Sequence, residues 1–347
     1  MHSIITEDAF RLANMALPWD MLEGRTILIA GANGYVPAYF VYAFLKRNEL
    51  FSSGIKVIAL CRSESRARER FGAYIGRNDF SLLIQDVRDP VCVTGPVHII
   101  IHAASPAGTQ ERHKSPVGTF GANVRGTENL LELCREKACE RFLYISSVDV
   151  YGNTRSNDRI SETSFGASDS CNIRNVYPIS KKAAEMLCVA YYYEYRLPAI
   201  IARPAQIMGP GIAMNDGRLH IDFISQMLRS DEIVLKSDGS ALRSFMYITD
   251  AIAGMLFILL RGNPAEAYNV ADERGEATVL ELAKLMSSHV TGRDISIRFD
   301  MEKRKDPGVT HAVSNVSIDS GKLRSLGWTP QVSLSDGAKS MMAYYGL

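Results

Sequence analysis

A strand, a glycine turn and a helix follow one another near the start of the sequence, and this order constrains the fold most. Residues 25–30 form a short apolar run that ends at Gly31-Ala32-Asn33-Gly34, and a helical pattern follows through residues 39–45. Pro37 stands where a third glycine is usual, which a first helical turn tolerates. A helix N-terminus offers free N–H groups to a pyrophosphate, and glycines let the backbone approach it closely. The turn therefore predicts dinucleotide binding rather than an ordinary strand-to-helix turn. The expected contacts are Gly31, Asn33, Gly34, Tyr35 and Val36.

Further apolar runs continue the strand pattern, and a helical segment at residues 123–134 lies between two of them. Nearly continuous apolar strands suit a parallel sheet that is covered on both faces. We therefore predict an α/β fold, a Rossmann-type doubly wound parallel sheet with a smaller C-terminal α/β lobe. The predicted strands cover residues 56–60, 80–84, 97–101 and 141–145. The predicted units are a helical extension (1–23), a dinucleotide-binding domain (mainly 24–205) and a second lobe (mainly 206–347) with some chain crossing back.

Composition narrows the class of function. The chain is 46% hydrophobic and 22% charged, with a formal net charge of +1, so electrostatics give no reason to expect nucleic acid or membrane as a partner. Residues 1–23 lack the basic start and apolar core of a secretory signal. The six cysteines have no metal-ligand spacing, so we expect no metal site and reduced thiols in a cytoplasmic enzyme.

Tyr177 and Lys181 are candidates for catalysis together with the serine pair Ser146 and Ser147. A tyrosine and a lysine four residues apart lie on one face of a helix. If the serines end a neighbouring strand, the three groups can converge on a substrate hydroxyl, with tyrosine as the base. By itself the pair is equally compatible with a surface helix that carries a half-buried tyrosine and an extended lysine.

Small side chains follow the predicted strand at residues 97–101. They leave room for a cofactor at the carboxyl edge of the sheet, where folds of this type bind ligands. The residues concerned are Ala103, Ala104 and Ser105.

Several further segments occur in the order typical of one family. They are Asn123-Val124-Arg125-Gly126-Thr127, then Ile145-Ser146-Ser147-Val148-Asp149-Val150-Tyr151-Gly152, and a tail that contains Leu326-Gly327-Trp328-Thr329-Pro330. With the glycine turn and Tyr-x-x-x-Lys, they make the chain resemble the extended short-chain dehydrogenase/reductase family, in particular its nucleotide-sugar epimerases, dehydratases and decarboxylases. The resemblance implies that Asn123, Asp86, Val87, Tyr177 and Lys181 contact the cofactor. It also implies catalysis by Tyr177, Lys181, Ser147 or Ser146, and Asp149, and a homodimer that forms through two helices of the sheet domain.

The second half is most similar to UDP-glucuronate decarboxylases in Asp216-Gly217-Arg218 and in the segment that contains Arg243-Ser244-Phe245. The resemblance implies that Arg243 handles anionic parts of the substrate. Guanidinium groups suit carboxylate or phosphate, so Arg218 and Arg174 join it as predicted ligands. Ser105, Asp149 and Gln206 complete the expected substrate contacts.

Several positions depart from the family pattern. Asp149 stands where the decarboxylases carry glutamate, and Val148 stands where the dehydratases carry an acid, which argues against dehydration. Gln206 and Met208 replace an asparagine and a tyrosine, which suggests a different sugar pocket. Arg62 follows the second strand in place of a ribose-binding acid and could accommodate a 2′-phosphate. The family favours NAD, with NADP as the alternative.

The resulting prediction is an NAD-dependent nucleotide-sugar enzyme that acts through a transient 4-keto sugar, with a UDP-sugar as the favoured substrate. The expected reaction is decarboxylation of UDP-glucuronate. A 4-epimerase is the first alternative, followed by a 4,6-dehydratase or an NADPH-dependent 4-keto reductase. A non-catalytic dinucleotide-binding regulator is the most distant one, since fold alone does not fix function.

Overall fold

A computed structural model of the protein describes residues 2–106, 108, 112, 114–154, 159–300 and 316–347. Within these residues, seven parallel strands form a large sheet. The sheet order is β10-β6-β5-β4-β1-β2-β3. Every pairing within it is parallel. The doubly wound α/β prediction is therefore confirmed. Its strands are β1 (Thr26–Ala30), β2 (Lys56–Cys61), β3 (Phe80–Ile84), β4 (Ile99–His102), β5 (Arg141–Ile145), β6 (Ala199–Pro204) and β10 (Ala267–Val270).

Helices cover both faces of this sheet. Along β1, Ile27 and Ile29 belong to one apolar core, whereas Leu28 and Ala30 belong to the core on the opposite face. This division follows from the alternation of side chains along a strand. The helices are α1 (Ser3–Asn14), α2 (Tyr35–Phe51), α3 (Glu64–Phe71), α4 (Pro116–Asn123), α5 (Arg125–Glu136), α6 (Val176–Tyr195), α7 (Leu219–Met227), α8 (Ile248–Arg261), α9 (Val279–His289), α10 (Gly321–Arg324) and α11 (Leu334–Tyr344).

The helix predicted at residues 123–134 is corrected by the structure. A first helix, α4, begins at Pro116, and it meets α5 at Val124. Proline is favourable in a first helical turn, and this signal marks the start that was missed. The strand predicted at 97–101 begins two residues later and ends one residue later, as β4.

The second lobe is built from segments that lie on both sides of β10 in the sequence. After β6 the chain forms β7 (Gln206–Met208), which pairs with β9 (Leu242–Tyr247), and β9 also pairs with β11 (Glu276–Thr278). A separate pair consists of β8 (Glu232–Leu235) and β12 (Ser296–Phe299). The chain returns to the large sheet at β10, which pairs with β6.

The N-terminal segment forms α1 and a short 3₁₀ turn at Trp19–Leu22. The apolar face of α1 packs against α2 and α8 and buries Ile5, Ala9 and Leu12. Between these helices the buried carboxylate of Asp8 accepts hydrogen bonds from two tyrosine hydroxyls. The proposed division of the chain at residues 23 and 205 stays a prediction. No helix in the described part of the chain has both the length and the apolar character that a membrane crossing needs.

Candidate active site

A cleft of about 1370 Å³ runs along the carboxyl edge of the large sheet. Its lining includes the residues that follow β1, β2, β4 and β5, which is where doubly wound sheets bind ligands. Gln206 and Arg218 of the second lobe line the same cleft. Its volume exceeds the ~300–1,000 Å³ of ordinary small-molecule pockets, so two ligands can share it.

The glycine turn after β1 forms one wall. Gly31 has a φ of +75°, and a Cβ placed there would lie 2.7 Å from Cα of Ala104, so only glycine fits. Gly34 caps the 17-residue helix α2, and no side chain supplies a capping hydrogen bond. The first N–H groups of α2 are therefore available for an anion. Asn33, Tyr35 and Val36 also line this end of the cleft.

The predicted adenosine end contains Arg62, Asp86 and Val87, all of which line the cleft. Asp86 accepts hydrogen bonds from Arg88 at 3.0 and 2.7 Å. These bonds lower the pKa of Asp86, and the charge of Arg62 acts in the same direction. The described residues supply no acid at the end of β2 where a ribose would bind, since Cys61, Arg62 and Ser63 follow one another there.

The loop after β4 supplies Ala103, Ala104 and Ser105 to the lining. The buried Oγ of Ser105 has no hydrogen-bond partner among the described residues. A ligand in the cleft can supply the hydrogen-bond partner that a buried polar group requires. His102 fixes the start of this loop, because its Nδ1 accepts a hydrogen bond from the N–H of Ala104 at 3.3 Å.

Tyr177 and Lys181 lie in the first turns of α6 and both face the cleft. Nζ of Lys181 donates to the carbonyl of Ile145 at 2.7 Å and lies 5.8 Å from the ring centroid of Tyr177. Burial lowers the pKa of Lys181 to about 7, and the charge of Arg112 contributes to this shift. Burial therefore disfavours the charged form of Lys181, while the carboxylate of Glu185 acts in the opposite direction.

The two serines have different surroundings. Ser147 lies beside Tyr177, and together with the cations Arg112 and Arg218 it opposes the rise that burial causes in the pKa of the tyrosine. Ser146 points elsewhere and donates to Oε1 of Glu185 at 2.5 Å. Ser147 is therefore placed to act with Tyr177.

A buried ion pair lies behind Ser146, and the sequence interpretation did not include it. Arg203 donates to both carboxylate oxygens of Glu185, at 3.0 and 2.7 Å. Arg203 also donates to the hydroxyl of Tyr151 at 3.0 Å. Glu185 continues the stripe of Tyr177 and Lys181 by one more helical repeat, and this spacing was the available signal.

Arg112 is the second residue that was missed. Its Cζ lies 3.4 Å from the ring centroid of Tyr177. Its Nη1 lies 3.9 Å from the carboxylate of Asp149. No periodic pattern marks this loop position, so the sequence alone offered no signal for it.

The predicted substrate residues divide into two groups. Ser105, Asp149, Gln206 and Arg218 line the cleft, and Arg218 pairs with Asp216 at 2.9 Å. The lining formed by described residues does not include the other two arginines or Met208, which is buried in the core. The roles of Arg174 and Arg243 therefore stay predictions.

Asn123 is fully buried beneath the cleft and is not part of the described lining. Its amide donates to the hydroxyl of Ser180 at 2.8 Å, and that hydroxyl donates to the carbonyl of Tyr177 at 2.9 Å. The structure thus gives Asn123 a role in fixing the first turn of α6. Its predicted contact with a cofactor stays a prediction.

A doubly wound sheet with this glycine turn and a Ser-Tyr-Lys set at its carboxyl edge defines the short-chain dehydrogenase/reductase class of NAD(P)-dependent enzymes. Within it, the chain belongs to the NAD dependent epimerase/dehydratase family, whose model matches residues 27–271. It is 29% identical over 326 residues to UDP-glucuronic acid decarboxylase 2 of Arabidopsis thaliana, covering 92% of this chain and 68% of that protein. It is also 29% identical over 323 residues to UDP-glucuronic acid decarboxylase 1 of Danio rerio, covering 93% and 73%.

Solved structures share the fold. A UDP-glucose 4-epimerase from Thermotoga maritima with UDP-glucose superposes with a TM-score of 0.78 at 24% identity, covering 92% of this chain and 98% of that one. A UDP-glucuronic acid 4-epimerase from Bacillus cereus, in complex with UDP-glucuronic acid and NAD, gives a TM-score of 0.74 at 22% identity with the same coverage.

Proposed function

We propose that the protein is a UDP-glucuronate decarboxylase that acts through a transient 4-keto sugar. The observation that carries this proposal is the convergence of Ser147, Tyr177 and Lys181 on one cleft that extends into the second lobe. The similarity to UDP-glucuronic acid decarboxylases over more than nine-tenths of the chain supports the choice of reaction.

The residues of the cleft fit NAD. The glycine turn offers a pyrophosphate the free N–H groups of α2, and the close contact of Gly31 with Ala104 leaves no room for a side chain there. The unpartnered Oγ of Ser105 can bind the other end of the dinucleotide. When bound, NAD accepts a hydride from the sugar and later returns it.

The protein's own residues move protons and hold the sugar. Tyr177 takes the proton of the C4 hydroxyl, which Ser147 orients through a hydrogen bond, and the charge of Lys181 favours this transfer. The resulting 4-ketone makes the C6 carboxylate a β-keto acid. The C5–C6 bond then breaks, CO₂ leaves, and its electron pair forms an enolate that is protonated at C5. Asp149 is the proposed source of that proton, and proton return from Tyr177 completes the pentose.

The C6 carboxylate needs a cationic partner before it leaves. Arg218 lines the cleft and is the proposed ligand, with Arg174 and Arg243 as further ones that would have to approach from outside the present lining. The second candidate is a 4-epimerase, in which the ketone is reduced from the opposite face and the carboxylate stays in place; the fold shared with 4-epimerases supports it. Val148 supplies no acid for a 4,6-dehydratase.

Incubation of the purified protein with UDP-glucuronate and, separately, UDP-glucose tests the proposal, with products followed by mass and stereochemistry. We expect the first substrate to lose the mass of CO₂. An unchanged mass with inverted C4 would replace decarboxylation by epimerisation. Identification of the nucleotide released on denaturation decides between NAD and NADP. NADP is the alternative because Arg62 could accommodate its 2′-phosphate.

Tyr177→Phe provides the matched control for these assays. It removes only the hydroxyl, so we expect turnover to fall at least ~100-fold, the lower range for a lost general base, while dinucleotide binding persists. Full activity of this variant would contradict the assigned mechanism.

We also propose that the protein is a homodimer, which forms through α4 and α6. Val117 and Phe120 on α4, and Met186 and Tyr193 on α6, are exposed, and Val117 reaches 85%. Clustered exposed apolar side chains of this kind indicate an interface. A cytoplasmic location is proposed from the six free cysteines.

A further inference from the structure

The guanidinium of Arg112 covers the ring of Tyr177, and the residue is held there by the carbonyl groups of Pro106 and Gly108. Its Nε donates to the carbonyl of Pro106, and its backbone N–H donates to the carbonyl of Gly108, both at 3.1 Å. The side chain is 21% exposed, and Cζ is 3.4 Å from the ring centroid. Arg112 is therefore a fixed component of the cleft wall beside the proposed base.

A cation over this ring discriminates between the two protonation states of the tyrosine. A neutral phenol attracts it only through the quadrupole of the ring, whereas a phenolate spreads negative charge into the ring and attracts it more strongly. Lys181 is farther away, with Nζ 5.8 Å from the same centroid, and its ammonium group also donates a hydrogen bond to the carbonyl of Ile145. Arginine also keeps its charge at every working pH, which a buried lysine does not.

Given the proposed role of Tyr177 as the base, we propose that Arg112 is a positioning residue of this active site, whose guanidinium stabilises the tyrosine ring after the phenol has lost its proton. Asp149 opposes this effect, because its carboxylate lies 3.9 Å from Nη1 of Arg112 and raises the pKa of Tyr177. Among the residues that the structure describes, the charged and titratable groups that face Tyr177 are Lys181 on its own helix, Arg112 between β4 and α4, Asp149 after β5, Arg218 before α7 and Tyr144 on β5.

Arg112→Gln removes the charge and keeps a side chain that can donate hydrogen bonds to the loop. We expect the pKa of Tyr177 to rise by roughly 0.5–1.5 units, which is the range that a cation–π contact implies. The titration is followed by phenolate absorbance in the free protein, and the same variant with Tyr177→Phe is subtracted to remove the other tyrosines. The acid limb of the pH profile for kcat/KM should move upward by the same amount. Arg112→Lys retains a charge without the planar contact, and it should shift both readouts in the same direction by less.

Arg135→Gln is the matched control, because Arg135 lies over a different tyrosine, Tyr195, with Cζ 5.2 Å from that ring. It should leave the titration of Tyr177 unchanged. An unchanged titration in both Arg112 variants would overturn the proposal and leave Arg112 a purely structural role in its loop. Retained turnover in Tyr177→Phe alone would instead contradict the proposed function, so the two failures are distinguishable.

Discussion

The carboxylate of Asp8 is buried between α1, α2 and the second lobe, and we expect its replacement by asparagine to stabilise the protein at neutral pH. Asp8 is 4% exposed. It accepts hydrogen bonds from Tyr39 at 3.2 Å and from Tyr247 at 2.9 and 3.1 Å. Burial raises its pKa from 3.8 to about 6, although both tyrosine hydroxyls act in the opposite direction. Asparagine keeps the shape and one carbonyl acceptor and carries no charge.

The magnitude follows from the difference in pKa between the folded and unfolded states. A rise of about 2 units, at about 1.4 kcal/mol per unit, corresponds to at most about 3 kcal/mol of destabilisation by the ionised group. Because the folded-state pKa is the higher one, this cost disappears only at a pH well below 3.8, where both states bind the proton. It grows as the pH rises towards about 6 and is complete above that pH.

Urea unfolding of wild type and Asp8→Asn at several pH values between 4 and 8 measures this difference. We expect the variant to be more stable by up to about 3 kcal/mol at pH 8, by roughly half of that at pH 5, and by only about 0.5 kcal/mol at pH 4. Asp20→Asn, at an exposed position of the same N-terminal segment, should show no such trend. A difference that does not change with pH, or a variant less stable at pH 8, would refute the reasoning.

Two further substitutions test the cleft and its support. Gly31→Ala and Gly24→Ala both place a side chain at positive φ, which should cost about 1–2 kcal/mol in unfolding experiments. Gly31→Ala should cost more than Gly24→Ala, because only its Cβ also meets backbone atoms of Ala104 in the cleft. Titration calorimetry should therefore show at least tenfold weaker NAD binding for Gly31→Ala alone. Equal affinities of both variants would contradict the assignment of the glycine turn as the pyrophosphate site. Glu185→Gln leaves the guanidinium of Arg203 without a carboxylate and should cost about 3–5 kcal/mol, whereas Glu194→Gln, exposed on the same helix, should have almost no effect. A loss below ~1 kcal/mol for Glu185→Gln would show that water or a neighbour compensates for the missing charge.

The large sheet could be predicted from sequence because its strands are buried on both faces and so form continuous apolar runs. β3 and β5 begin and end where they were predicted, and β2 extends one residue further. The start of α4 was not predicted, because Pro116 marks it and periodic apolar positions do not. Local signals of this kind fix where a helix begins better than periodicity does.

The candidate site was predictable where a motif places residues on one element. Tyr177 and Lys181 share one face of α6, and Ser147 follows β5 at the carboxyl edge of the large sheet. Arg112 could not be found in this way, since its position depends on the path of a loop and on contacts with Pro106 and Gly108. Electrostatic partners from loops are set by tertiary packing, which a linear pattern does not encode.

The return of the chain from the second lobe to the large sheet has a consequence for synthesis on the ribosome. β6 ends at Pro204, but its neighbour β10 begins only at Ala267. At about 5–20 residues per second, the edge of β6 stays unpaired for roughly 3–13 s while the intervening lobe is made. An unpaired, apolar edge strand readily pairs with other chains. The free edge of β6 is therefore open to such pairing in the nascent protein until β10 has been made.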